Sequence, residues 1–121
     1  MNFLSYEIVK VVFEKPLNFV QGDFKVSTAK ASHVQKEDKD DFLVDLLVEV
    51  TPLVESGFML VIQAMGHFKI TGEPTDEIRN NYVNFSGPAI LYPYLRAFIT
   101  TMVVQAGMRP LLLPAMDFTV K

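Results

Sequence analysis

The 121-residue chain contains no cysteine, no tryptophan and only two histidines. Without cysteine it can have neither a disulfide framework nor a thiolate nucleophile nor a cysteine-ligated zinc. Its stability must come from packing, and it suits a reducing cytoplasm, where we expect it. His33 and His67 fall on different expected strands rather than at i, i+4 on one helix, so they read as polar strand residues, and neither metal nor cofactor is expected. There is no excess of basic charge: 11 Lys and Arg against 14 Asp and Glu give a net charge of −3. The basic residues are scattered, so nucleic acid is not an expected partner. Ser86-Gly87 lacks the Gly-x-Ser-x-Gly elbow, and no glycine-rich loop joins a strand to a helix in a phosphate-binding pattern. Asp45 and Glu49, on either side of Leu47, suit the solvated rim of a sheet better than an acid/base pair. No enzyme is expected. The N-terminus lacks the basic and apolar regions of a signal peptide. The apolar stretch from Leu91 to Val104 is interrupted by Pro93, Arg96 and two threonines, so membrane insertion is not expected.

What is present is a chain that is 50% hydrophobic, read as one domain over 1–121. A chain of this size buries roughly 65% of its unfolded surface. Phe3 to Glu14 is rich in β-branched and aromatic residues and predicts a first strand, with Val9, Val11 and Phe13 on one face and Tyr6 and Ile8 on the other. Lys15-Pro16 breaks it, and a second strand starts near Phe24, with Phe24, Val26 and Thr28 on one half-covered face. The run 36–40 is a solvated hairpin tip. In the third strand Phe42, Val44, Leu46, Val48 and Val50 form one uniformly apolar face. The fourth runs from Phe58 to about Ile70, with Phe58, Leu60, Ile62, Phe68 and Ile70 inward. Gly66 within it marks a bulge or a close backbone approach. Thr75 is placed to cap a short helix whose first turn carries Asp76 and Glu77.

The run from Ser86 to Arg109 predicts the long helix. Pro93 fits a first turn, where its missing N–H costs nothing, and Gly107 and Pro110 end the helix. Leu95, Phe98, Ile99, Met102, Val103 and Ala106 repeat at helical spacing. That apolar face is larger than one-sided packing needs, which makes Leu95, Phe98, Ile99, Met102 and Val103 the expected core and oligomer face. The fold class is α+β: a four-stranded antiparallel sheet followed by a short helix and one long helix packed on it.

Several of these residues also carry a family likeness. Ile90-Leu91-Tyr92-Pro93-Tyr94, then Arg96, Ile99-Thr100-Thr101-Met102-Val103, and Leu111 through Pro114 leading to Asp117-Phe118 resemble the protein-export chaperone SecB family. Its members carry a similar Asn-Ile-Leu-Phe-Pro-Tyr-Ala-Arg segment, an Ile-Thr-Ser-Met-Val helix and a Leu-x-Leu-x-Pro-Val-Asn-Phe exit. Tyr6-Glu7-Ile8 through Asn18-Phe19 and the run Gly66 to Gly72 match the family's strands more loosely. The resemblance implies a non-enzymatic, cytoplasmic holdase that binds unfolded polypeptides or preproteins in apolar grooves and assembles as a dimer or dimer of dimers. By position it places the client groove at Phe24, Val26, Thr28, Met59, Ile90, Leu91, Tyr92, Tyr94 and Phe118.

Three departures bear on partners. The connection Val20 to Asp23 is shorter than the family's crossover loop, so one wall of the groove is expected to be missing. The sequence stops soon after Phe118, where the family continues into another helix and an acidic tail. Val61 and Pro16 stand where the family has acidic side chains that dock the SecA motor, which makes SecA docking doubtful. An alternative is a SecB-fold interaction protein serving one dedicated partner, as the SecB-like chaperones of toxin–antitoxin systems do.

Overall fold

The computed structural model describes residues 1–119. Four strands, β1 (Asn2–Glu14), β2 (Phe24–Val34), β3 (Asp41–Pro52) and β4 (Met59–Lys69), form one antiparallel sheet in the order β1-β4-β3-β2. After the sheet come α1 (Asp76–Asn81), a π-helical turn (Tyr82–Ser86) and α2 (Gly87–Gln105). This is the expected α+β architecture. Because β1 and β2 lie on opposite edges, residues 15–23 must cross the end of the sheet.

The central strands follow their alternation. Phe42, Val44, Leu46, Val48 and Val50 of β3 and Leu60, Ile62, Ala64 and Phe68 of β4 are buried beneath α2. Both strands are flanked by neighbours on either side, so a period of two survives along their whole length. Gly66 marks a close approach, not a bulge: a Cβ there would lie 3.1 Å from Leu91 Cδ2 and 3.0 Å from Phe68 Cε2.

The faces of β1 differ from the sequence expectation. Its register against β4 shifts between Phe3 and Ser5 and between Ile8 and Lys10, so Leu4 and Val9 are bulged. Tyr6, Ile8, Val11 and Phe13 then pair with Gly66, Ala64, Ile62 and Leu60, and all four lie on the helix-covered side of the sheet. A bulge inserts one unpaired residue and reverses the faces beyond it, which a strict alternation misses.

Helix α2 also differs. It begins at Gly87, with Pro88 in its first turn, and Pro93 lies inside it. The N–H of Gly87 reaches the carbonyl of Tyr82, closing a π-helical turn that runs α1 almost directly into α2. Pro93 and Ala89, whose carbonyl the missing N–H would have met, are both exposed, so water can serve that carbonyl. The Thr75 side chain accepts from the Ile78 N–H, as expected for the cap of α1. Arg79 of α1 forms an ion pair with Asp40 in the β2–β3 turn.

The far end of α2 closes as predicted at Gly107, which has φ +83°. Met108 N–H donates to Val103 O and Gly107 N–H to Val104 O, the paired bonds of a Schellman motif. Met108 and Val103 are both buried, supplying the apolar contact that accompanies it. The chain then turns back and runs, without regular secondary structure, between α2 and the inner face of β2.

Candidate functional site

Leu95, Ile99 and Val103 are completely buried against the sheet. Within one chain their surface is spent on the core. The single-sided packing expected to leave surplus surface is consumed by β3, β4 and the returning segment. Phe98 and Met102 pack against the core while keeping part of their surface.

The nine residues assigned to a client groove fall in four places. Leu91 is fully buried over Gly66 and belongs to the core. Ile90 and Tyr94 are exposed on α2, and Tyr94 packs its ring 5.2 Å from Phe3 and 5.0 Å from Tyr6, on the β1 side of the helix. Met59 pairs with Glu14 and alternates with buried Leu60, so it projects from the sheet face opposite α2. Phe24, Val26, Thr28, Tyr92 and Phe118 do come together, on the inner side of β2. The first three are half-buried, and Tyr92 and Phe118 are buried with ring centroids 5.8 Å apart.

These five are joined by residues that periodicity did not mark. Lys30, on the same face of β2, donates to Phe118 O at 2.7 Å and to Asn84 O at 2.5 Å, with its ammonium 4.7 Å from the Phe85 ring centroid. Burial lowers the Lys30 pKa from its ordinary value. Tyr92 donates its hydroxyl to Pro114 O at 2.6 Å. Burial raises its pKa, partly opposed by the charge of Arg96. Asp117 accepts from both the hydroxyl and the N–H of Thr119, and those bonds hold its carboxyl below the usual value.

At the crossover end the surface opens. The 15–23 connection packs Phe19 5.1 Å from Phe58 and 6.2 Å from Phe24, with Phe13 closing the cluster. Short as it is, the connection forms one side of a cleft here, because its aromatic anchor reaches the end of the core. It is tied to the far end of α2 by Gln21, whose side chain accepts from the Arg109 N–H and donates to the Arg109 carbonyl. A cavity of about 580 Å³ lies between Pro16, Phe19 and Val20 on one side and Pro52, Leu53 and Val54 on the other. A second, of about 460 Å³, lies between Phe24, Val26 and Leu53 and the returning segment Leu111–Pro114. The two share Gly22, Asp23 and Leu53 and form one groove. Leu53, Val54, Val20 and Leu112 on its rim are 65%, 79%, 86% and 97% exposed. The sequence signal that could have found this rim is large aliphatics outside the regular elements, at Val20, Leu53-Val54 and Leu112, where polar residues are usual.

On the other face of the sheet, His67 meets Asp41 at 2.5 Å and Gln63 donates to Asp45, so these polar groups are partners across strands. Around Val61 the register places Val12 and Glu49.

The sequence model described as Preprotein translocase subunit SecB matches residues 7–120. The chain belongs to the SecB family. Among SecB proteins it is 27% identical to the protein-export protein SecB of Saccharophagus degradans over 91% of this chain and 73% of that one. It is 31% identical to SecB of Methylococcus capsulatus over 78% of this chain and 61% of that one. It is also 24% identical to the protein MJ0357 of Methanocaldococcus jannaschii, over 96% of this chain and 76% of that one. The fold matches that of the SecB-like chaperone Rv1957 of Mycobacterium tuberculosis, solved with a ChAD peptide from the HigA1 antitoxin. That match has a TM-score of 0.68 at 15% identity and covers 96% of this chain and 87% of the other. SecB-family proteins are chaperones and not enzymes. No helix of the described residues is long and apolar enough to cross a membrane.

Proposed function

We propose that this SecB-family chain is a holdase for unfolded or newly made polypeptides in the cytoplasm, and that its client site is the groove between the 15–23 connection, the β3–β4 turn and the segment after α2. The observation that carries this reading is the groove itself. An aromatic floor of Phe19 and Phe24 is rimmed by Leu53, Val54, Val20 and Leu112, with most of their surface in water. Exposed aliphatics grouped around one cleft suit an apolar partner. Each large apolar client side chain that enters contributes roughly 1.5–3 kcal/mol, and several along one chain add by avidity. A stoichiometric amount of the protein should delay aggregation of a denatured preprotein followed by light scattering. Leu53→Ser with Val54→Ser should weaken that delay several-fold while leaving the fold intact. No delay by the wild-type protein would overturn the reading.

The antitoxin peptide in the Rv1957 complex favours a second reading, a SecB-fold protein dedicated to one partner. A panel of unrelated unfolded proteins separates the two: comparable affinity for all supports the general holdase, and binding to none except a single native partner supports the dedicated one. With Val61 in place of an acidic side chain, we propose no SecA docking.

Self-assembly belongs to the same reading. Edge strand β1 leaves Leu4, Tyr6, Val9 and Val11 between 38% and 51% exposed, beside exposed Ile90 and Tyr94. That edge, rather than Leu95, Ile99 or Val103, is the proposed meeting surface of two copies. Light scattering should give at least twice the 13.7 kDa of one chain, and about 55 kDa if two dimers join.

A further inference from the structure

The segment that follows α2 is held as a bound peptide is held. From 111 to 114 it has no regular secondary structure, and its burial alternates, with Leu111 and Leu113 buried and Leu112 and Pro114 outward, a period of two. It belongs to no sheet: among the described residues, none of the amide N–H groups of 111–118 has a hydrogen-bond acceptor. Its carbonyls are gripped by side chains of the body. Thr100 donates to Leu111 O at 3.4 Å, Tyr92 to Pro114 O at 2.6 Å and Lys30 to Phe118 O at 2.7 Å. Side-chain donors aimed at backbone carbonyls, with apolar seats for alternate residues, read chain conformation and hydrophobicity rather than sequence. Pro110 and Pro114 have no N–H to lose in this arrangement.

We propose that Leu111–Phe118 is a resident pseudo-client, which occupies the inner groove of β2 and is displaced by an extended apolar segment of a client. The proposal rests on the holdase reading and refines its site: the segment after α2 bounds the outer groove at rest and gives up its seat on β2 when a client binds. Lys30, Tyr92 and Thr100 are the carbonyl clamps, and the preferred client segment carries large apolar residues at alternate positions. A groove filled by its own chain binds with an apparent affinity reduced by the fraction of molecules in which it is open. Loosening the resident segment therefore tightens client binding, whereas loosening a fixed wall would weaken it.

The test uses the full chain and two fluorescent probes, a synthetic peptide copying residues 108–119 and a reduced, alkylated protein that cannot refold. In the variant Leu113→Ser with Phe118→Ala, which leaves β2 and the clamps untouched, anisotropy should report about tenfold tighter binding of both probes than in the wild type. Phe118→Ala alone should shift both in the same direction, should the double variant fail to fold. In the wild-type protein, hydrogen exchange of residues 108–119 should speed up when the unfolded probe binds. Unchanged or weaker binding by both variants, with residues 108–119 becoming more protected, would overturn the proposal while leaving the holdase reading intact. If neither probe binds wild-type or variant protein, the holdase reading fails and the proposal falls with it.

Discussion

Gly87 sits where the π-helical turn passes into α2, and its Cα faces β3. A Cβ at that position would lie 2.9 Å from Val44 Cγ2 and 3.1 Å from Phe42 Cε2. Val44 is completely buried and β-branched, so it has little freedom to turn aside. Gly87→Ala gains helix propensity of up to about 1 kcal/mol. Against that, overpacking a core costs typically ~1–3 kcal/mol, and we expect a net loss of about 1 kcal/mol or more, read as a lower urea midpoint. Tyr92 offers a second single-residue test. Replacing it with Phe removes the bond to Pro114 O and should cost about 1 kcal/mol. Burial raises the phenol above its ordinary value of 10.0, so the folded state favours the neutral form. Its contribution is then complete below pH 10 and is lost as pH rises through the raised value. Denaturation midpoints measured from pH 8 upward should fall more steeply for the wild type than for Tyr92→Phe.

At the scale of elements, what was legible in the sequence depended on how evenly each element is surrounded. β3 and β4 are central, one face of each lies under α2, and their alternation read correctly from Phe42 to Val50 and from Phe58 to Ile70. β1 is an edge strand, free to bulge at Leu4 and Val9, and no residue type announces a bulge. The start of α2 was misplaced because Pro93 and Pro88 both suit a first turn. What selects Pro88 is the approach of Gly87 to Val44 and Phe42, a tertiary contact. For the same reason the helical spacing of Leu95, Ile99 and Val103 showed that they are buried but not by what. An alanine at Leu95 settles that. A fully buried leucine truncated in a core costs about 2–5 kcal/mol, and the loss should be the same at every protein concentration. An interface residue would instead show a loss that shrinks as concentration rises. Of the nine residues that family position marks, Phe24, Val26, Thr28, Tyr92 and Phe118 share the inner side of β2, whereas Met59, Ile90, Leu91 and Tyr94 lie elsewhere. Family position marks where a residue stands along the chain, and the sheet decides which side it faces.

For the whole molecule, the order β1-β4-β3-β2 separates the two surfaces proposed above to meet a client and a second copy. β1 and β2 are three strand spacings apart, about 14 Å. The inner groove of β2, filled by the returning segment, lies at one edge, while Leu4, Tyr6, Val9 and Val11 lie at the other. A sheet edge left with apolar residues is a hazard that bulges and charges reduce, and β1 carries two bulges together with Glu7, Lys10 and Glu14. Those devices discourage open-ended strand addition, but they do not hide the apolar side chains, and a second copy placed symmetrically on the same edge would cover them. Leu4→Lys with Val9→Lys changes only bulged, exposed positions, so the fold should survive. The charges would oppose each other across a two-fold interface, and the variant should run as a 13.7 kDa monomer in light scattering. Each monomer should still capture an unfolded probe, with a loss confined to the avidity that paired chains supply. An unaltered mass would place assembly elsewhere on the molecule. Loss of capture by a folded monomer would mean that the groove is completed across two chains.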